Sequence, residues 1–521
     1  MMQRINKIFK NTVFSYINVF SYKIEQFIVR SVFIYVLGAT YLGVNGLYSN
    51  ILGLLSFMEL GIGGIISTCL FKPVTQKDFS KAKAYVDIYK KIYIFIAFFV
   101  LALGLLLLPF FKYIIKDYNE INDLQLYYLI YLFNSFLSYF VSYYYSVLNA
   151  EEKQYIYTNI NSLFNLELFV LQIVVILVFK NFCLFLLCTT ITIILEKIYS
   201  YYKIKSICGY LFDDTIDAKL DHNEKMDLIK NIKAAVLIKL SDVFIIFTDN
   251  IIISSFLGII IVGIADNYIM IKNSILSLAE QIFNNMTSSI GRIINKENSN
   301  SYEYKNKVFN TVFLFAFFIF SIISIEYSIF INPFVRLWIG DKYVLTNSFA
   351  FIIGFIIFSK GMTLAYFSYK NAYAIFYDDY IFSFIAGIIN VASSVLLCFK
   401  FGLIGVYLGT LLTQLFLLYI KSSVSFKMIT NNSKVQYLYI LIKYYIVFSL
   451  FLFLLKYIFD SYVVVDSFIT IAIHMIIVFI IYVIYFIMIF YNNEYFKYII
   501  KIACNLFVDI IIHIRNRLHS S

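Results

Sequence analysis

The segment Leu37-Gly38-Ala39-Thr40-Tyr41-Leu42-Gly43-Val44 returns 220 residues later as Leu257-Gly258-Ile259-Ile260-Ile261-Val262-Gly263-Ile264. A second echo follows each copy, Leu54-Leu55-Ser56-Phe57-Met58-Glu59 and Ile275-Leu276-Ser277-Leu278-Ala279-Glu280, now at an offset of 221, so one residue is inserted in between. Both octads read as hairpin tips between apolar segments. A chain of this kind is a duplicated bundle. Membrane proteins built from two similar halves place a polar site between them and move one half against the other.

Composition supplies the solvent. With 61% hydrophobic and 14% charged residues over 521 positions, the chain has more apolar surface than a water-soluble fold can hide. Only three prolines interrupt long uncharged runs of Ile, Leu, Phe and Val, which favours helices over the short alternating strands of a barrel. Windows of about 20 apolar residues place spans near 12–37, 43–71, 90–111, 122–149, 156–179, 182–206, 231–256, 260–290, 307–332, 345–370, 376–399, 402–425, 436–458 and 464–491. The expected fold is all-α and polytopic, with about 14 helices. Its two six-helix lobes, 1–206 and 231–430, are related by a pseudo-two-fold axis, joined by a linker at 207–230 and followed by an extra helix pair at 431–492. The basic tail, 493–521, reads as an amphipathic segment on the membrane surface. Arg4, Lys7 and Lys10 precede a long semi-polar helix with no small-residue cleavage site, which reads as a retained anchor.

Most Lys and Arg fall in the N-terminal segment, the connections after even-numbered spans, and the tail. This bias puts both termini in the cytoplasm of a bacterial inner membrane. Cysteines 69, 183, 188, 208, 398 and 504 show no CxxC spacing, and histidines 222, 474, 513 and 519 are scattered. The sequence therefore assigns no metal site, no cofactor and no nucleic-acid partner.

An ionised side chain at the bilayer centre costs about 2.5 to 3.5 kcal/mol on insertion scales, so such residues need partners or water. Lys23, Gln26 and Arg30 share one face of the first span. Asn45, Ser49, Ser56, Glu59, Gly63 and Ser67 form a polar stripe on the second. On the eighth, Asp266, Asn273, Ser277, Glu280, Asn284 and Ser288 stay within about 40° of one line. Lys239, Asp242 and Asp249 share a face of the seventh. Polar stripes on both halves predict a shared hydrated cavity. Arg30 and Lys23, with Gln26 beside them and Lys239 or Lys272 opposite, are the candidate ligands of a phosphorylated substrate, because guanidinium pairs bidentately with phosphate and lysine adds a compact charge. Glu59, Asp242, Asp249 and Glu280 are candidates for coupling to H+ or Na+. Asn161 and Asn165 on the fifth span and Asn390 on the eleventh add polar faces able to bond sugars or to pack helices. The plainer reading makes Lys239 and Asp242 a mutual ion pair and puts Asp266 at a helix interface. Lys360, Lys443, Glu167, Glu196 and Glu326 are read as structural.

Val29-Arg30-Ser31-Val32-Phe33-Ile34, Leu37-Gly38, Tyr41-Leu42-Gly43-Val44-Asn45-Gly46-Leu47-Tyr48-Ser49-Asn50-Ile51-Leu52 and Met58-Glu59-Leu60-Gly61-Ile62-Gly63 together resemble the start of bacterial polysaccharide flippases. These are the Wzx-type members of the multidrug/oligosaccharidyl-lipid/polysaccharide exporter superfamily. Thr248-Asp249-Asn250-Ile251-Ile252-Ile253-Ser254, Val262-Gly263-Ile264, Asn267-Tyr268 and Ser289-Ile290-Gly291 are similar to the family as well. The resemblance implies a central cationic cavity that opens alternately to either side and carries undecaprenyl-pyrophosphate-linked oligosaccharide units for O-antigen, capsule or exopolysaccharide. It implies an ion gradient as the driving force. Membrane lipids, a polysaccharide polymerase and glycosyltransferases are the expected partners. Arg30 matches the family's first-helix arginine; Lys23, Lys239 and Lys272 carry over only as cavity cations. Two rivals are a drug or small-molecule exporter of the same superfamily and a membrane polysaccharide polymerase. A polymerase is expected to carry a large extracytoplasmic loop, and none is present in the predicted layout.

Overall fold

The computed structural model describes residues 20–501 apart from 57–61, 117, 152, 214, 217–218, 295–301, 373–379, 431–433 and 463–464. The described residues form helices and connections only. In chain order the principal helices are α1 (20–36), α2 (Gly38–Leu55), α3 (Ile62–Thr75), α4 (Phe79–Leu107), α5 (Leu124–Ser138), α6 (Gln154–Phe179), α7 (Phe182–Ile207) and α8 (His222–Phe247). They continue as α9 (Asp249–Phe256), α10 (Ile259–Ile294), α11 (Tyr302–Ile339), α12 (Asn347–Ala372), α13 (Tyr380–Phe401), α14 (Leu403–Thr430), α15 (Lys434–Tyr462) and α16 (Phe468–Phe490). Among the described residues, 11 helical segments are long and apolar enough to cross a membrane. The expected first, second and seventh spans fall on α1, on α2 with α3, and on α8 with α9.

Local chemistry sets many of the boundaries. Asp78 accepts from the Lys81 backbone N–H (3.0 Å) at the start of α4, and Asn181 from that of Leu184 (3.1 Å) at the start of α7. Reciprocal capping boxes open α8 (Asp221 with Glu224) and α16 (Ser467 with Thr470). The expected span over 231–256 is broken at Thr248, whose hydroxyl bonds the Phe244 carbonyl (2.6 Å) and the Asn390 side chain (3.2 Å). Back-bonding of this kind bends helices.

The repeated tips take the same form in both copies. Leu37 N–H closes on the Phe33 carbonyl and Leu257 N–H on the Ile253 carbonyl, each at 2.8 Å, and the glycine that follows has positive φ, +85° at Gly38 and +104° at Gly258. Beyond the tips α2 and α10 cross. A methyl group on Gly43 would overlap the Ile259 carbonyl oxygen, and one on Gly263 would overlap that of Ala39. Since 39 corresponds to 259 and 43 to 263, the two contacts exchange under a local two-fold. Glycine at both positions lets the backbones touch, as small residues do at close membrane-helix crossings.

The chain divides into two compact units, one of residues 1–269 with 383–409 and one of 270–382 with 410–521. In the first, Tyr48 is fully buried between Phe111 and Tyr128 (ring centroids 5.7 and 5.3 Å) and donates to the Leu124 carbonyl at 2.9 Å. The second is built around α11 and α12. In the most apolar stretch of Asn306–Ile339, 78% of residues are buried, so this helix is the unit's centre. Rings stack on it and on its neighbour, Phe317 on Tyr444 (4.4 Å) and Phe358 on Phe448 (4.3 Å, planes 6° apart). Hydroxyl bonds fasten the same helices, Ser359 with Tyr445 (2.6 Å) and Ser321 with Tyr482. Each such bond is worth only about 0.6 kcal/mol in a membrane, so ring packing dominates.

Candidate functional site

Lys23, Gln26 and Arg30 all lie on α1. Lys23 Nζ donates to Gln26 Oε1 at 3.4 Å, one turn along the helix. Two turns from Lys23, Arg30 Nε donates to Asn267 Oδ1 on α10 at 2.7 Å. Asn267 is fully buried, and its amide nitrogen donates to the Gly263 carbonyl of its own helix (3.1 Å), which turns its oxygen toward the guanidinium. Beside it, Asp266 accepts from Asn250 at 3.0 Å and acts electrostatically on Arg30. Gly46 on α2 faces Asp266, where a methyl group would collide with the carboxylate.

Asn250 is the repeat equivalent of Arg30, and Gly46 that of Asp266. The duplicated motif has thus become unequal. One copy supplies the first-helix cation, the other supplies the carboxylate and amide that hold it.

A hydrogen bond to a charged group contributes about 1.5 to 3 kcal/mol. Together with the nearby carboxylate, that is comparable to the insertion cost of about 2.5 to 3.5 kcal/mol that the expected first span would carry for its arginine. The guanidinium is only partly used. Nη2 of Arg30 is buried and has no hydrogen-bond partner among the described residues. The group is therefore fixed along one edge and presents a further N–H donor, the arrangement that suits an anionic oxygen.

The remaining candidates are dispersed. In the same unit Asn45 accepts from the Tyr131 hydroxyl, and buried Asn390 accepts from Thr248. Ser56 is half-buried at the end of α2, and Asp249 is the first residue of α9. On α6, Asn161 is exposed and Asn165 half-buried. In the other unit Glu280 on α10 meets Lys360 on α12 at 4.0 Å. On α10 as well, Ser277 donates to the Ser274 carbonyl (2.8 Å), Lys272 is half-buried, and Asn273 and Asn284 are exposed. Glu59 lies outside the described residues, as do the side chains of Lys239 and Asp242 on α8.

Three groups escape a reading of polar stripes. Asn267 follows Asp266 directly and so lies about 100° away from the stripe that contains it. Lys360 gains its importance only from Glu280 across a helix pair. Glu196 and Lys197 are adjacent on α7, 3.3 Å apart and each about 15% exposed, and Tyr145 donates to Glu196 at 2.8 Å. The signal for this last cluster was present, an acid beside a base in an apolar helix. Among the described residues no three His, Cys, Asp or Glu side chains come together as a metal site.

No family model and no curated protein matches the sequence. Solved structures do match the fold. The lipid II flippase MurJ in an inward closed conformation aligns over 92% of this chain and 99% of its own, with TM-score 0.62 and 15% identity. The Vibrio cholerae MATE transporter VcmN aligns over 81% and 98%, with TM-score 0.56 and 16% identity. An inward-facing multidrug resistance MATE family transporter of the MOP superfamily aligns over 77% and 92%, with TM-score 0.53 and 14% identity.

The chain is a multi-pass helical membrane protein with the fold of solved transporters and a flippase. That fold is the one MATE transporters and MurJ share.

Proposed function

We propose that this protein is a flippase that carries undecaprenyl-pyrophosphate-linked oligosaccharide units across the bacterial cytoplasmic membrane for surface polysaccharide synthesis. The observation that carries the proposal is Arg30, a guanidinium on α1 held along one edge by Asn267 with a buried N–H left over. Such a group is suited to a phosphate oxygen and ill suited to a cationic drug. The MurJ likeness supports the same reading, since it reaches 92% of the chain where VcmN reaches 81%. MurJ is described as acting on lipid II.

In this mechanism the polyprenyl tail stays in the bilayer while pyrophosphate and sugar cross through a hydrated path. Arg30 binds the pyrophosphate, with Lys23 one helical stretch away as a second cation. Glu280 and Asp249, with Glu59 and Asp242, are the candidates for coupling to H+ or Na+. Substrate and ion move the protein between its two states only through their different affinities for them. Depleting the protein tests the proposal. Lipid-linked oligosaccharide should accumulate on the cytoplasmic leaflet and disappear on complementation with the wild type. Intact surface polysaccharide with no accumulation would instead favour a small-molecule exporter of the same fold.

A further inference from the structure

We propose that the groove between the Gln154 end of α6 and the Ile207 end of α7 is a binding site for an anionic phospholipid, separate from the Arg30 site. The groove has a volume of about 570 Å³. Lys153, Lys203, Asn159 and Tyr199 line it with polar or basic groups, and Ile160 and Leu163 extend it along α6 as an apolar floor. Lysines near the Gln154 and Ile207 helix ends and an apolar trough farther along α6, where the Tyr199 ring lies 5.9 Å from that of Phe164, match a phosphate headgroup followed by an acyl chain.

The surroundings specify a lipid. In the most apolar stretch of α6, only 6% of residues are buried, so nearly the whole helix is left to the bilayer. Leu163, Leu166, Val170 and Val174 on α6 are each between 48% and 58% exposed. Lys153 and Ile207 of the groove adjoin the expected connections 150–155 and 207–230, which the distribution of Lys and Arg assigns to the cytoplasmic side, where anionic headgroups attract basic residues. A basic pocket between transmembrane helices on that side is a recognised way of holding such headgroups.

Charge also ranks the two lysines. Lys153 is bound by Glu151 at 2.7 Å, and Glu151 in turn accepts from Tyr210 at 3.1 Å. Lys203 is exposed and has no ion pair among the described residues. Its charge is the one available to a phosphate.

The test uses the purified full chain and native mass spectrometry with phosphatidylglycerol, phosphatidylcholine and inorganic phosphate as probes. Wild type should retain phosphatidylglycerol in preference to phosphatidylcholine. Lys203→Gln should weaken that retention about fivefold, with a smaller loss for Lys153→Gln. Leu163→Trp, which fills the apolar floor and leaves both lysines in place, should weaken it too. Retention of phosphatidylglycerol unchanged in Lys203→Gln and Leu163→Trp would overturn the proposal. Displacement of the lipid by an equal concentration of inorganic phosphate would also overturn it, by making the site one for the free ion. The readout is lipid binding and needs no export, so it stands or falls independently of the proposed cargo.

Discussion

Gly43 and Gly263, equivalent positions in two copies of one motif, touch through their backbones, each lying against the carbonyl of the residue four before the other. The crossing is the point where the duplication becomes physical. A Cβ on either glycine enters the opposite main chain, and a main chain cannot step aside as a flexible side chain can.

Gly43→Ala and Gly263→Ala should therefore each destabilise the protein by about 1 to 3 kcal/mol, the usual cost of overpacking. The two losses should be similar because the contacts exchange. Thermal unfolding of the purified variants measures this, and a loss confined to one of the two would deny the local symmetry.

Arg30 and Asn267 make a second pair with separable roles. Arg30→Ala should abolish export at normal membrane abundance, whereas Arg30→Lys should keep a partial activity because the charge survives without the fork. Asn267→Ala leaves the cation but frees its Nε edge, and should lower export by less than Arg30→Ala does. Export in Asn267→Ala equal to wild type would show that the edge-on restraint is unimportant.

The duplicated tips and most of the apolar windows were legible because each depends on local spacing. The partner of Arg30 was not. Asn267 stood in the sequence only as half of the Asn267-Tyr268 match, with nothing to link it to Arg30, and the crossing of α2 with α10 at glycines 43 and 263 brings it to α1. The break at Thr248 was equally hidden, since the Asn390 side chain that holds it lies 142 residues on. Lys360, read from sequence as structural, gained a partner in Glu280 that no one-dimensional pattern supplies.

Glu280 and Lys360 approach to 4.0 Å with side chains 37% and 39% exposed, so the pair contributes at most about 1 kcal/mol. If Glu280 couples to an ion, Glu280→Gln should lose export while unfolding temperature barely moves. The charge-reversed double variant Glu280→Lys with Lys360→Glu should stay inactive. Recovery of export in that double variant would make the pair structural.

The connection before α8, together with the first turn of that helix, is fastened to the start of α4. Lys81 bonds Glu224 at 2.7 Å and lies 3.9 Å from Asp221, and Lys83 donates to the Asp213 carbonyl. The hydrogen bond from Lys81, followed by one from the Asp221 backbone, holds the Glu224 carboxyl below its ordinary range. A carboxyl depressed in the folded state stabilises above its unfolded pKa of about 4.3 and loses that contribution as pH falls through the folded value. Thermal stability should therefore be insensitive to this group near neutrality and decline below about pH 4.3. Glu224→Gln should flatten that part of the profile, as should high salt across the same pH range by screening the pair. An identical acid limb in wild type and Glu224→Gln would remove the clasp from the account.

Purified protein in liposomes, loaded with a fluorescent polyprenyl-pyrophosphate-linked oligosaccharide and an ion gradient, measures translocation without the rest of the pathway. Wild type should move the lipid-linked pyrophosphate and Arg30→Ala should not, at equal reconstitution. Equal rates for the two, or no movement by wild type under either an H+ or a Na+ gradient, would contradict an arginine-held pyrophosphate as the cargo.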